Sequence, residues 1–228
     1  MLAPLRTVLH GLLDLVYPPR CAACRAPAAK AFCGVCAEAL VPVPSPCARC
    51  GQPGGAPACP ACRSAPPAFE AVHAGGLFGG PLAEAIHALK YEDRPAVARP
   101  LGAWLAAQVP LPPGAAVVSV PLGRARRIAR GYDQAALLAD ALARSGGARR
   151  LRGVLVRVRE TPPQVGLSRA ARAANVAGAF RATARVAGHR VVLVDDVVTT
   201  GATAAAASAA LQEAGAVGVQ VIALARAD

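Results

Sequence analysis

The sequence predicts an α/β protein, a mostly parallel sheet with helices on both faces, preceded by a small Cys-rich segment. Three observations predict it. After Phe69, apolar runs of strand length alternate with segments of helical periodicity. All eight cysteines fall between Cys21 and Cys62. From Tyr17 to Pro67 the chain is rich in Pro, Gly and Cys and poor in large aliphatics, so it needs staples in place of a conventional core. The expected boundaries are 1–18 for an N-terminal helix, 19–66 for the Cys-rich segment and 67–228 for the main domain.

Each element has its own signal. Leu5, Val8, Leu9, Leu12 and Val16 share one helical face, with Arg6, His10 and Asp14 on the other. A short amphipathic helix packing on the body is expected there, an interfacial membrane helix being the alternative. Those polar residues, and the lack of a small-residue cleavage site, argue against secretion and for a cytoplasmic location. Phe69 to Phe78 reads as a strand or hairpin. Pro81 to Tyr91 reads as a helix, with Pro in its first turn and Leu82, Ile86 and Leu89 on one face. Pro95 to Val109 reads as a second helix, interrupted or restarted at Pro100. Strands are expected at Ala115–Val120, Leu151–Val158, His189–Val194 and Val217–Ala225. Helices are expected at Asp133–Arg144 and at Ala202–Ala214, the latter ended by Gly215. Pro110, Pro112 and Pro113 interrupt the longest apolar run, so no stable membrane insertion is expected.

The cysteines form four C-x2-C knuckles: Cys21/Cys24, Cys33/Cys36, Cys47/Cys50 and Cys59/Cys62. Each knuckle offers two thiolates to one ion, so four make two tetrahedral four-cysteine sites, structural because no ligand position stays open. Two structural zinc ions follow. Pairing neighbours costs least in loop closure: Cys21, Cys24, Cys33 and Cys36 for one ion, and Cys47, Cys50, Cys59 and Cys62 for the other. An interleaved pairing is the alternative. Disulfides or redox dithiols are the competing chemistry, disfavoured by four knuckles in register.

The composition is strongly basic. There are 25 Lys and Arg against 13 Asp and Glu, a net charge of +12, which points to an anionic partner. Only Lys30 and Lys90 are lysines, and arginine suits forked contacts to phosphate. Hydrophobic residues at 54% exclude a disordered polycation, and aromatics at 4% exclude a binder built on rows of stacked bases. Fourteen arginines and only three acids lie between Val120 and Arg185, so the charge surrounds particular loops and does not coat the surface.

The most informative string is Val191-Val192-Leu193-Val194-Asp195-Asp196-Val197-Val198-Thr199-Thr200-Gly201-Ala202-Thr203. A buried strand ends in two carboxylates, and a Thr/Gly loop then opens a helix. Backbone N–H groups of such a loop cradle a phosphate, Gly201 permits close approach, and Thr199, Thr200 and Thr203 add hydroxyl donors. Two acids beside a phosphate make sense when the ligand also carries vicinal hydroxyls or a divalent metal. A strand–turn–helix with capping threonines would explain one threonine and neither Asp.

This string resembles the motif by which type I phosphoribosyltransferases bind phosphoribosyl pyrophosphate (PRPP). The resemblance implies a type I phosphoribosyltransferase-like sheet. It puts Asp195 and Asp196 on the ribose hydroxyls, with Val197, Val198, Thr199, Thr200, Gly201, Ala202 and Thr203 around the 5′-phosphate. Pro121, Leu122 and Arg126 follow the strand that ends at Val120, where that fold places its pyrophosphate loop; Arg127, Arg130 and Gly131-Tyr132-Asp133-Gln134 come next. The stretch from Arg157 and Arg159 through Thr161, Gln164 and Leu167 to Arg172 and Asn175 stands where the family has a loop that closes over the ligand. With the Cys-rich start and Leu89-Lys90-Tyr91, nearly the whole chain resembles the ComF competence family, a double zinc ribbon fused to a phosphoribosyltransferase domain. Asp133 departs from the family's usual Asn, and Thr199 replaces an Asp that assists base chemistry in some phosphoribosyltransferases.

The resemblance implies a phosphoribosyltransferase that displaces pyrophosphate from Mg²⁺-bound PRPP toward an unknown acceptor, in a protein linked to DNA uptake. Asp195, Asp196, Arg130 and Arg159 are the expected catalytic residues, with Arg126, Arg127 and Arg157 adding to the charge that meets pyrophosphate. The alternatives are an accessory protein that binds single-stranded DNA beside the uptake machinery, and a PRPP sensor without turnover.

Overall fold

A computed structural model describes residues 18–109, 111–161 and 168–227. The expected N-terminal helix and residues 162–167 of the expected closing loop lie outside the described residues.

The Cys-rich segment holds two one-turn helices, α1 (Gly34–Glu38) and α2 (Pro60–Ser64). The main domain then runs β1 (Ala71–Leu77), α3 (Gly80–Tyr91), α4 (Ala98–Gln108), β2 (Ala116–Ser119), α5 (Arg124–Arg130) and α6 (Gln134–Ser145). It continues with β3 (Arg149–Arg150), β4 (Leu155–Arg157), α7 (Arg169–Val176), β5 (Phe180–Ala182), β6 (Arg190–Val198), α8 (Ala202–Glu213) and β7 (Gly218–Arg226). Five strands form one parallel sheet in the order β1-β7-β6-β2-β3, while β4 and β5 pair antiparallel apart from it.

Alternation along the central strands divides the core. Val192, Val194, Ile222 and Leu224 face α3, α4 and α6, meeting Leu82, Ile86, Leu101, Leu138 and Leu142. Val191, Leu193, Val219 and Val221 face α8 and the β4/β5 pair, meeting Ala204, Ala207, Leu211 and Phe180. A fully buried Leu such as Leu193 contributes about 2 kcal/mol by leaving water.

The Cys-rich segment is packed into these same two cores. Cys21 and Cys36 join the α3/α4/α6 side, and Cys47, Cys50, Cys59 and Cys62 join the α8 side. The segment also lies along the free edge of β1, where Leu77 donates to the carbonyl of Val41 at 2.7 Å. Covering that edge removes a template for unwanted strand pairing.

Several elements differ from expectation. Phe69–Phe78 is a single strand without a hairpin. Of the expected strand Leu151–Val158 only β4 forms: β3 ends before it at Arg150, paired with β2, and the chain turns at Gly153 with φ 68° before β4 pairs with β5. The strand expected to stop at Val194 continues to Val198, so the two acids lie within it. Pro100 does not interrupt α4, because it sits in the first turn, where a missing N–H costs nothing. α5 and α7 form where loops were expected.

Candidate functional site

The carboxyl ends of parallel strands are where such a sheet binds ligands. Here β2 and β6 end at a cleft of about 1180 Å³, lined by Pro121 and Leu122 after β2, by α5, and by Asp195, Asp196, Thr199 and Thr203. A recess of about 20 Å³ adjoins it, bounded by Asp195 and residues 197–204, and is wide enough for one water-sized group.

Strand geometry separates the two acids. Consecutive residues point to opposite faces, so Asp196 turns with Val192 and Val194 toward α3 and α6. There Lys90 Nζ at the end of α3 lies 2.9 Å from Asp196 Oδ1, and Gln134 Nε2 in α6 donates to Oδ2 at 2.8 Å. Asp196 is 5% exposed, and both of its oxygens are engaged. Asp195 points toward the Thr/Gly loop, and Asp196 N donates to its Oδ1 at 2.8 Å. Burial, reinforced by the charge of Asp196, pushes the Asp195 carboxyl up to about 8. Asp196 is thus held in place by Lys90 and Gln134, while the Asp195 carboxyl is the one that takes a proton easily.

The loop after β6 turns at Gly201, whose φ of 78° a residue with a side chain adopts only under strain. Thr200 Oγ1 accepts from Ala202 N at 3.3 Å, and Arg172 of α7 donates to Thr199 Oγ1 at 3.3 Å. The segment is a tight backbone loop with three hydroxyls at the start of a twelve-residue helix, a geometry suited to an anion.

The loop after β2 is fixed by Asp133. One oxygen caps α6 by accepting from Ala136 N at 3.0 Å, and the other accepts from Leu122 N at 3.1 Å. The Asp133 carboxylate supplies both acceptor oxygens. α5 buries none of its residues and sets Arg126 and Arg130 on the cleft, joined there by Arg157 and Arg172. Arg130 donates to Gln134 Oε1 and lies over the ring of Tyr91, 5.4 Å from its centroid. Tyr132 donates to the carbonyl of Leu89 at 2.6 Å.

The structure therefore brings Asp195, Asp196, Pro121, Leu122, Arg126, Arg130, Val197, Thr199 and Thr203 together on the cleft, with Val198, Thr200, Gly201 and Ala202 on the adjoining recess. Arg159 is placed elsewhere: its guanidinium donates to the carbonyls of Asn175 at 3.0 Å and Ala177 at 2.6 Å, tying the segment after β4 to the end of α7. Lys90, Tyr91 and Gln134 also line the cleft. Sequence reasoning named them without assigning them to it; the signal was the position of Lys90 and Tyr91 at the end of an apolar-striped helix.

The cysteines gather as two sets, Cys21/Cys24/Cys33/Cys36 and Cys47/Cys50/Cys59/Cys62, with the sulfur atoms of each set within 4.8 Å of one another. Neighbouring knuckles are the pairs, and none of the eight cysteines is in a disulfide. Burial raises Cys21 and Cys47, but backbone N–H groups from the knuckles outweigh it and bring both to about 6. Burial and the neighbouring sulfurs push Cys36 up to about 12 and Cys62 higher still. Four sulfurs this close share their charge only around a cation, and this donor set fits tetrahedral zinc.

Comparison with known proteins agrees with both halves of the chain. A double zinc ribbon domain matches residues 12–64, and a phosphoribosyl transferase domain matches residues 130–228. The DNA utilization protein YhgH of Salmonella typhi is 37% identical over 226 residues, covering 93% of this chain and 99% of that one. Competence protein F of Haemophilus influenzae is 32% identical over 225 residues, covering 91% and 97%. Among solved structures, a glutamine PRPP amidotransferase from B. subtilis, complexed with ADP and GMP, is 27% identical with a TM-score of 0.43, covering 60% of this chain and 30% of that one. Among the described residues no helix is long and apolar enough to cross a membrane.

Proposed function

This chain belongs to the ComF family, which also holds YhgH and competence protein F, and from that premise we propose that its cleft binds PRPP as the magnesium complex and transfers the phosphoribosyl group, in a cytoplasmic protein serving DNA uptake. One observation carries the reading: two adjacent carboxylates, a Thr/Gly loop that opens a helix and four arginines meet at one cleft and its adjoining recess, at the carboxyl end of a parallel sheet.

The roles follow from the chemistry of each group. The backbone and hydroxyls of Thr199–Thr203 take the 5′-phosphate. Asp195, once ionised, accepts from the ribose hydroxyls, and Asp196 is held beside it by Lys90 and Gln134. Arg126, Arg130, Arg157 and Arg172 stabilise charge on the departing pyrophosphate. Magnesium supplies charge neutralisation on that leaving group. Thr200→Val, which keeps the shape and removes the hydroxyl, is expected to weaken Mg²⁺–PRPP binding about tenfold in a calorimetric titration. Unchanged affinity would contradict the assignment of the cradle. Pyrophosphate release with candidate acceptors distinguishes a transferase from a sensor.

A second reading rests on α5. Its Arg124, Arg126 and Arg127 are exposed and Ile128 is 71% exposed, at the edge of the cleft. Such a helix suits backbone-led binding of single-stranded DNA, in line with the relatives' names. Affinity for a single strand that falls steeply between low and high salt supports it; salt-independent affinity counts against it.

A further inference from the structure

The two ribbons meet the main domain at different places. The first meets the end of α3, where Arg25 pairs with Glu92 at 2.6 Å, two residues beyond Lys90. The second lies behind the phosphate loop. Arg226, at the end of β7, is 1% exposed and joins that ribbon to the loop. Its guanidinium donates to Gln52 Oε1 at 2.6 Å, between Cys50 and Cys59, and to the carbonyl of Val198 at 3.1 Å, the residue before Thr199. A second contact runs in parallel. Phe69 packs with the cysteines of this ribbon, and its ring lies behind Gly201, where an added Cβ would be 3.5 Å away.

We propose that Arg226 is a positioning residue for the phosphate loop, and that through Gln52 it makes the grip on the ligand's 5′-phosphate depend on the second zinc ribbon. The physical reason is reach and rigidity. A planar guanidinium fixed at both ends sets the last carbonyl of β6, and so the direction in which the loop N–H groups leave the strand. A zinc knuckle is a rigid anchor for its other end, because four metal–sulfur bonds fix the backbone on either side of Gln52. The first ribbon packs into the opposite core, against α3 and α4, on the far side of the sheet from α8.

The inference rests on the cleft binding a phosphorylated ribose, and the test separates the two claims. Gln52→Ala leaves every zinc ligand and Arg226 itself in place. Affinities of the zinc-loaded full chain would be measured for ribose 5-phosphate and for inorganic pyrophosphate, with zinc content determined on the same samples. The expected result is about a tenfold loss for ribose 5-phosphate, unchanged affinity for pyrophosphate and two zinc ions per chain. Arg226→Lys, which keeps one donor and loses the fork, is expected to show an intermediate loss. Arg25→Ala, which releases the first ribbon from α3, is expected to leave ribose 5-phosphate binding unchanged. Equal losses for both ligands, or no loss in Gln52→Ala, overturn the inference while wild-type binding upholds the reading beneath it. Failure of the wild-type chain to bind ribose 5-phosphate overturns both.

Discussion

At the residue scale the acid pair is asymmetric, and this has measurable consequences. The Asp195 carboxyl is raised to about 8, against an unfolded value near ~4. Between those values the folded chain holds a proton that the unfolded chain lacks, so stability declines as pH rises through about 4 to 8. Asp195→Asn should flatten that slope in melting curves taken across the range; an unchanged slope would assign it to another group. Ligand binding runs the other way. Ribose hydroxyls need the ionised carboxylate as acceptor, so affinity for PRPP should rise by up to about tenfold per pH unit toward pH 8. Lys90 matters for the other acid. Lys90→Met leaves Asp196 buried without its cation and should cost about 2–3 kcal/mol in denaturant unfolding, Lys90 itself being partly exposed. A cost near zero would show that Lys90 is not what holds Asp196 in place.

At the element scale, turns and caps aim the site. Asp133 caps α6 and holds Leu122 N with its second oxygen, so Asp133→Ala should cost about 1–2 kcal/mol and also loosen the loop after β2. Asp133→Asn should recover most of that, because its amide oxygen still accepts; denaturation midpoints of the two variants check it. The strand–loop–helix carrying the acids and threonines was legible in sequence because it is local: an apolar run, two acids, a Gly in the turn, then a helix. What was not legible depended on tertiary contacts. α5 has no apolar stripe to announce it, since none of its residues is buried. Leu151–Val158 has strand composition throughout, yet the turn at Gly153 separates β3, which ends at Arg150, from β4, which begins at Leu155 and pairs in a different sheet. Lys90 reads as a surface residue until packing of α3 on the sheet brings it to Asp196. Arg159 stands in sequence among the cleft arginines, yet the carbonyls at the end of α7 claim its donors.

At the scale of the whole molecule, the Cys-rich segment is part of the domain it precedes. Its cysteines contribute to both cores, and its backbone covers the edge of β1. Chelating the metal should therefore destabilise the entire protein, lowering the melting temperature by roughly 10 °C or more, with release of two zinc ions per chain. A metal-free chain that melts cooperatively at the original temperature would show the ribbons to be dispensable appendages. The acids, cradle and arginines that this scaffold holds make a single claim about what the cleft is for. Titrating PRPP with Mg²⁺ into the zinc-loaded wild type and into the Asp195→Asn/Asp196→Asn double variant tests it most directly. The account predicts saturable, magnesium-dependent binding by the wild type and its loss in the double variant at unchanged zinc content. Titration heats that are the same for both proteins would contradict it.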